Sequence, residues 1–168
     1  PIQWSFKNHF GMNEREVALA VDLFREYFNE KGWGENEPYP GVNEMLEELH
    51  ASGKKLYLAT AKLEKFAERI LRHFGFDKYI IGFVGADYNG HKAEKDALIA
   101  SLLKKEQIIS SEKVVMVGDT IFDIEGGKAN GLSTVAVFYG FGEPEGLKAT
   151  TPDFLADSVE ELFEVLNF

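Results

Sequence analysis

The chain has 168 residues, 45% of them apolar and 27% charged, which is the composition of one globular domain rather than of a disordered or fibrous chain. Its 18 Lys and Arg against 28 Asp and Glu give a net charge of −10, which argues against a nucleic acid or an anionic membrane surface as a main partner. The absence of cysteine excludes a disulfide scaffold and a cysteine nucleophile. Because there is no long apolar stretch and no secretory signal, we expect a cytoplasmic protein.

The first part of the sequence predicts two helices. Asn13, with Glu16 three residues later, resembles a capping box, and apolar residues then recur at helical spacing until Gly32. The polar, proline-containing stretch around residues 38–40 marks a boundary between two structural units. A second helix is predicted over residues 42–53. No cap or strand pattern is evident in the first few residues.

Strands and helices alternate in the rest of the sequence. The predicted strands are at residues 56–60, 82–85, 114–117, 134–137 and near 154. The predicted helices are at residues 66–74, 93–105, 124–130 and 159–166. Continuous apolar strands separated by helices are typical of a parallel sheet. The sequence therefore predicts an α/β fold with a Rossmann-like parallel sheet over residues 37–168, preceded by a partial helical cap at residues 1–36.

Polar residues with phosphate chemistry follow two of the predicted strands. Residues 60–62 are Thr-Ala-Lys, residues 118–123 are Gly-Asp-Thr-Ile-Phe-Asp, and Lys95 lies at a helix start between them. Ligands of open α/β sheets bind at the carboxyl ends of the strands, so we expect these groups on one rim. Hydroxyl and backbone N–H groups hold phosphate oxygens there, a lysine neutralises their charge, and carboxylates hold Mg²⁺.

Each of these residues also has a structural interpretation. Asp119 is a favoured residue type for the N-cap of the next helix, and Asp123 fits an exposed acid on that helix. Lys95 is of a residue type that is usually exposed. Their order along the chain, with a Thr after one strand and Gly-Asp-x-x-x-Asp after another, favours the phosphate interpretation.

Two other patterns are dismissed. Residues 140–146 lack the Gly-x-Gly-x-x-Gly spacing of a dinucleotide site. Four histidines have no spacing typical of metal ligands: His9, His50, His73 and His91.

The combination of these motifs resembles the haloacid dehalogenase superfamily. Residues 60–62, Lys95 and residues 118–123 are similar to its second, third and fourth motifs. Further segments are similar to the phosphoglycolate phosphatase-like branch: residues 40–42, 85–90, 123–131, 139–142 and 158–162. The resemblance extends from about Gly11 to the end of the chain, and it implies that the α/β unit is the core domain of that superfamily.

The resemblance implies a Mg²⁺-dependent phosphatase of small phosphorylated metabolites that acts through an aspartyl-phosphate. Thr60 and the N–H of Ala61 would bind the transferring phosphoryl group, and Lys95 would bridge phosphate and nucleophile. Asp119 would ligate Mg²⁺. Asp123 would assist, partly through water or by orienting Lys95. Ala61 departs from the Asn or Ser that is common at its position.

The family's first motif, an Asp-x-Asp pair that supplies nucleophile and general acid, has no counterpart in these residues. No Asp-x-Asp occurs in the sequence, and the first aspartate is Asp22, within a predicted helix. The resemblance places that motif on a central strand between the strands that end at Thr60 and Asp119. We therefore expect an incomplete chain, inactive alone, that lacks this strand and half of its cap. The alternative is a catalytically inert domain that binds phosphate or a protein; a receiver domain is disfavoured because its acidic pair would come first.

Overall fold

Strands alternate with helices along most of the chain in the computed structural model, which describes residues 2–87, 94–110 and 113–167. The helices and strands are, in chain order, α1 (Ile2–Asn8), α2 (Glu14–Glu30), α3 (Val42–Ala51), β1 (Leu56–Leu63), α4 (Glu64–Phe74), β2 (Ile80–Ala86), α5 (Lys95–Lys105), β3 (Val115–Gly118), α6 (Ile121–Ala129), β4 (Ser133–Val137), α7 (Pro144–Ala149), β5 (Phe154–Ala156) and α8 (Val159–Leu166). The order confirms the predicted α/β class.

Local signals in the sequence account for several helix ends. The Asn13 side chain accepts hydrogen bonds from the N–H groups of Arg15 and Glu16, and the Glu16 carboxylate accepts one from the Asn13 N–H, which confirms the capping box. Gly75 ends α4 in the left-handed conformation, with φ of 69°. Ser158 caps α8 by accepting a hydrogen bond from the Glu161 N–H.

Two helices were not predicted. Helix α1 has seven residues and buries none of them, so Ile2 and Phe6, four positions apart, give only a short helical signal. Helix α7 has only six residues and is marked mainly by Pro144 at its start. Strand β1 also continues to Leu63, beyond the predicted end at Thr60. The predicted start of α5 at residue 93 lies outside the described residues.

The strands form two parallel sheets rather than one. One sheet has the order β1-β2, and the other has the order β3-β4-β5. Thr60 pairs with Gly85 at the end of the first sheet, and Gly118 pairs with Ala136 at the end of the second. Within the described residues, no ladder joins β1 to β3. We call the space between these two strands the sheet break.

The strands beside the sheet break are less buried than their outer neighbours. No residue of β1 or β3 is fully buried, whereas residues 134–137 of β4 all are. Strands of a parallel sheet are ordinarily covered on both faces, so a half-buried inner strand is unusual. Beside the break, β1 and β3 lack the cover that a neighbouring strand would give.

Helices connect the two sheets and join the N-terminal helices to the α/β unit. Leu98 of α5 and Ile124 of α6 are fully buried, and α5 contacts β1, β2 and α6. The Phe28 ring of α2 meets Phe66 of α4 edge-on at 4.9 Å between ring centres. The Arg69 guanidinium lies 3.6 Å from the Trp33 ring centre. These contacts dock the predicted cap on α4; its boundary after residue 36 stays a prediction.

Candidate active site

Lys95 joins the ends of the two sheets. Its Nζ donates a hydrogen bond to the carbonyl oxygen of Ala59, at 3.0 Å, and lies 2.8 Å from Oδ1 of Asp123. The Lys95 side chain is 15% exposed and that of Asp123 is 7% exposed. A buried ion pair is stable only when further hydrogen bonds satisfy its groups, and here the backbone of β1 supplies one. The rim predicted from the strand order therefore forms around this ammonium.

Asp123 also takes part in the capping box at the start of α6. Its Oδ2 accepts hydrogen bonds from the N–H and the hydroxyl of Thr120, at 3.0 and 2.7 Å. Thr120 is the N-cap of α6, so the structural interpretation of Asp119 as the cap is wrong. Asp123 is buried, not an exposed surface acid. Both of its oxygens are engaged, one by Lys95 and one by Thr120.

Asp119 lies in the loop after β3, held by the loop that follows β4. Its Oδ2 accepts a hydrogen bond from the N–H of Phe141 at 2.9 Å. A Cβ atom added to Gly140 would lie 2.2 Å from the Asp119 Cβ, and one added to Gly142 would lie 1.9 Å from the Asp119 carbonyl oxygen. Only glycine allows this approach. The Gly-x-Gly at residues 140–142, dismissed above as a dinucleotide motif, therefore packs against Asp119. This spacing of two glycines was the only sequence signal that could have indicated the contact.

Thr60 and the two residues after it form the other side of the rim. Oγ1 of Thr60 accepts a hydrogen bond from the Lys62 N–H at 3.2 Å, which leaves the hydroxyl proton available for a ligand. Ala61 is exposed. The Lys62 ammonium lies 4.7 Å from the ring centre of Phe28 in α2, and although the side chain keeps an exposed surface, burial of the ammonium lowers the pKa of Lys62.

Tyr139 is a further titratable group beside Asp119. Burial, followed by the nearby Tyr39, Asp119 and Glu160, raises the pKa of Tyr139 to about 12. The Tyr39 and Tyr139 rings meet edge-on at 5.2 Å between centres. The Tyr139 phenol therefore stays neutral next to the carboxylate of Asp119.

The residues around Asp119 suit Mg²⁺ better than a metal held by many side chains. The described segments contain no group of three or more His, Asp or Glu that could hold a metal ion. Mg²⁺ typically uses one or two carboxylates and completes its shell with water and phosphate oxygens. Asp119 fits this donor set. The described histidines lie against aromatic rings instead: His9 at Trp4, His50 at Tyr79 and His73 at Trp33. His91 lies outside the described residues.

A cleft of about 390 Å³ opens between α2 and the start of α4. Its lining carries both signs of charge, from Asp22, Arg25, Glu26 and Lys65, and includes none of the five predicted site residues at the rim. The rim contains the residues of the phosphate motifs and the cleft contains none of them, so the rim is the stronger candidate for the active site. Among the described helices, none is long and apolar enough to cross a membrane.

Comparison with known proteins agrees with this geometry. The family model of haloacid dehalogenase-like hydrolases matches residues 3–137. A 5'-nucleotidase from Pseudomonas aeruginosa is 35% identical over 167 residues, covering 99% of this chain and 75% of that protein. A phosphoglycolate phosphatase from Vibrio parahaemolyticus is 37% identical over 155 residues, covering 92% of this chain and 68% of that protein.

The fold comparison gives the same family. The crystal structure of a predicted phosphatase from Clostridium acetobutylicum matches with a TM-score of 0.93 at 32% identity, covering 100% of this chain and 78% of that one. The resemblance seen in the motifs is thus confirmed by a family model, by sequence relatives and by a solved structure. This chain belongs to the haloacid dehalogenase-like hydrolases.

Proposed function

We propose that the complete protein is a Mg²⁺-dependent phosphomonoesterase that acts on small phosphorylated metabolites through an aspartyl-phosphate. The observation that carries the proposal is the position of the Lys95 ammonium. It contacts the strand end beside Thr60 and the carboxylate of Asp123 at once. A phosphate bound beside Lys95 would meet the Thr60 hydroxyl and the ammonium, with the proposed metal-binding carboxylate of Asp119 in the loop after β3.

Each residue of the rim has a separate proposed role. The Thr60 hydroxyl and the Ala61 N–H bind phosphate oxygens. Lys95 uses two of its three protons on Ala59 and Asp123 and offers the third to the phosphate. We take Asp123 as a positioning residue for Lys95, since both of its oxygens are engaged; a water-mediated contribution to the metal site is the weaker alternative.

Asp119 would hold Mg²⁺ through the oxygen that Phe141 does not engage. When bound, the ion would neutralise charge on the phosphate oxygens. The loop of Gly140 and Gly142 keeps Asp119 in place, and the neutral Tyr139 adds no competing charge beside it. Electrostatic stabilisation by preset groups is usually the largest contribution to such catalysis.

The nucleophile would come from outside these 168 residues, on a strand in the sheet break. The sequence contains no Asp-x-Asp. The half-buried β1 and β3 support the proposal, because a strand between them would receive backbone hydrogen bonds on both sides and cover both neighbours. An aspartate at its carboxyl end would lie beside Thr60, Lys95 and Asp119.

We propose candidate substrates from the names of the two relatives. Phosphoglycolate and nucleoside monophosphates are the first compounds to test, since the two relatives are named for them. Sugar phosphates and pyrophosphate stay open. A cytoplasmic location stays a prediction from the sequence.

The first test is the intact mass of the protein purified from its source through a C-terminal tag. A mass several kilodaltons above 18.9 kDa, with Mg²⁺-dependent release of phosphate that a chelator abolishes, would support the proposal. A mass of 18.9 kDa without phosphate release would overturn it in favour of the inert binding domain.

A matched pair of variants then tests the site. Asp119→Asn should lower kcat by more than about a hundredfold, because it removes a charge placed for the transition state. Asp77→Asn, an exposed aspartate at the far end of β2, should leave kcat unchanged. Equal turnover in both variants would remove Asp119 from the mechanism.

A further inference from the structure

Three exposed aromatic side chains stand around the rim and have no part in the proposed phosphate chemistry. Phe141 is 92% exposed, Trp4 is 47% exposed and Phe122 is 43% exposed. We call these three residues the aromatic rim. Exposing three large rings near one site costs free energy in water, so such a group of rings commonly marks a binding surface.

The backbone of Phe141 is fixed to the metal-binding carboxylate. Its N–H donates to Asp119 Oδ2 at 2.9 Å, while its ring stays in solvent. The glycines on either side pack against Asp119 so closely that this loop has little freedom to move away. The Phe141 backbone is therefore held beside Asp119, and its ring projects from this position into solvent.

Phe122 and Trp4 form a pair of rings contributed by two other elements. Phe122 is the second residue of α6 and lies between Asp119 and Asp123 in the sequence. Asp123 turns inward to Lys95, whereas Phe122 turns outward. The Trp4 ring of α1 meets the Phe122 ring edge-on, with 6.4 Å between ring centres. Helix α1 and the α/β unit thus each supply a ring.

Exposed aromatic rings bind flat π systems by stacking, whatever the identity of the base. Phosphoglycolate and sugar phosphates have no such face. We propose that the aromatic rim binds the base of a nucleoside monophosphate whose phosphate lies at Thr60, Lys95 and Asp119. The inference rests on the proposed function for the position of the phosphate. It adds the substrate class and three specificity residues, which act by holding the leaving group and not by touching phosphorus.

The test is calorimetric titration of the 168-residue chain with AMP, ribose 5-phosphate and inorganic phosphate, each with Mg²⁺. AMP should bind about tenfold tighter than ribose 5-phosphate, because one stacked base contributes about that factor or more. Phe141→Leu and Phe122→Leu should each remove most of this preference and leave the affinity for inorganic phosphate unchanged. Phe154→Leu is the matched control: Phe154 is 50% exposed and begins β5, at the end of the sheet away from Asp119.

Tryptophan fluorescence gives a second readout that reports position. The chain has two tryptophans, and Trp33→Phe leaves Trp4 as the only one. AMP should quench the fluorescence of Trp4 in that variant, and ribose 5-phosphate should not.

The outcomes separate the two proposals. Equal affinity for AMP and ribose 5-phosphate, with phosphate binding intact, would overturn the aromatic rim and leave the phosphatase proposal in place. An equal loss of AMP affinity in Phe154→Leu would also overturn it. Failure of inorganic phosphate to bind the parent chain would overturn both.

Discussion

Strands β1 and β4 are both apolar and each pairs with a parallel neighbour, yet they differ in how deeply their residues are buried. Strand β4 has a strand on each side and buries residues 134–137, whereas β1 has one neighbour, β2, and buries none of its eight residues. Strand β3 resembles β1 in this respect. The composition of the strands does not explain the contrast, because all three are rich in Val, Leu or Ala. What β1 and β3 share is their position beside the sheet break, because β2 also has a single neighbour and buries four of its seven residues.

The contrast shows how the two sheets are held at the site. In the described part of the chain they share no strand ladder, and helices α5 and α6 with the contacts of Lys95 connect them. The polar rim therefore connects the two sheets and is also the candidate active site. Changes at the rim should affect stability more than changes of the same kind on the outer surface.

The largest expected effect is that of Lys95→Met. Removing the ammonium leaves the Asp123 carboxylate buried without its partner, which should cost about 3–5 kcal/mol of unfolding free energy. Urea unfolding followed by circular dichroism measures it. Lys104→Met, an exposed lysine on the same helix, should change stability by less than about 0.5 kcal/mol. Adding Asp123→Asn to Lys95→Met should restore part of the loss. A loss of similar size in both single variants would contradict the role of Lys95 in connecting the two sheets.

A smaller effect is expected from Gly140→Ala. The new Cβ would overlap the Asp119 Cβ, and relieving that overlap should cost about 1–3 kcal/mol and displace the carboxylate. Thermal unfolding measures the first effect, and calorimetric titration with Mg²⁺ and phosphate measures the second. Gly34→Ala is the control, since its Cβ would meet no atom within 4 Å. Normal ligand binding by Gly140→Ala would show that the loop does not hold Asp119 in place.

Amide hydrogen exchange sharpens the comparison of strands without any substitution. Amides of β1 and β3 that face the sheet break lack a ladder partner and should exchange at least about tenfold faster than those of β4. Exchange read by mass spectrometry over short peptides measures this. Equal protection in β1, β3 and β4 would mean that the break is closed in solution.

The smallest effect concerns pH and Tyr139. Its pKa is about 12 in the folded chain, whereas an unfolded tyrosine titrates near about 10. The folded state keeps a proton that the unfolded state releases, so the free energy of unfolding should fall as pH rises from about 10 to about 12. Tyr139→Phe should lose this part of the pH dependence, which unfolding curves across that range would show. An unchanged slope in the variant would mean that the phenol titrates normally.

The sequence predicted the parts of the fold that have strong local signals. The capping box at Asn13, the strand that contains Thr60 and the strand that precedes Asp119 all follow from residue types at short spacing. Helix α1 was not predicted in this way, because its seven residues are too few to establish an apolar period.

The rim shows where sequence reasoning stops. The order of Thr60, Lys95 and Asp119 predicted a common site, and the Lys95 contacts bring the two strand ends together. The hydrogen bond from the Phe141 N–H to Asp119 could not be predicted from the sequence. The two residues are 22 positions apart, and no local sequence pattern indicates that contact. Long-range hydrogen bonds of the backbone depend on the assembled fold, not on the type of the donating residue.

Asp123 is shared between a local event and a distant one, and this has a consequence for how the molecule folds. The same carboxylate starts α6 through Thr120 and pairs with Lys95, which belongs to an element about 28 residues earlier. The first turn of α6 and the connection between the sheets should therefore form or open as one cooperative unit. Fraying of that turn would break the ion pair with Lys95 at the same time. The first turn of a helix ordinarily frays independently, but here its fraying would also disrupt the candidate active site.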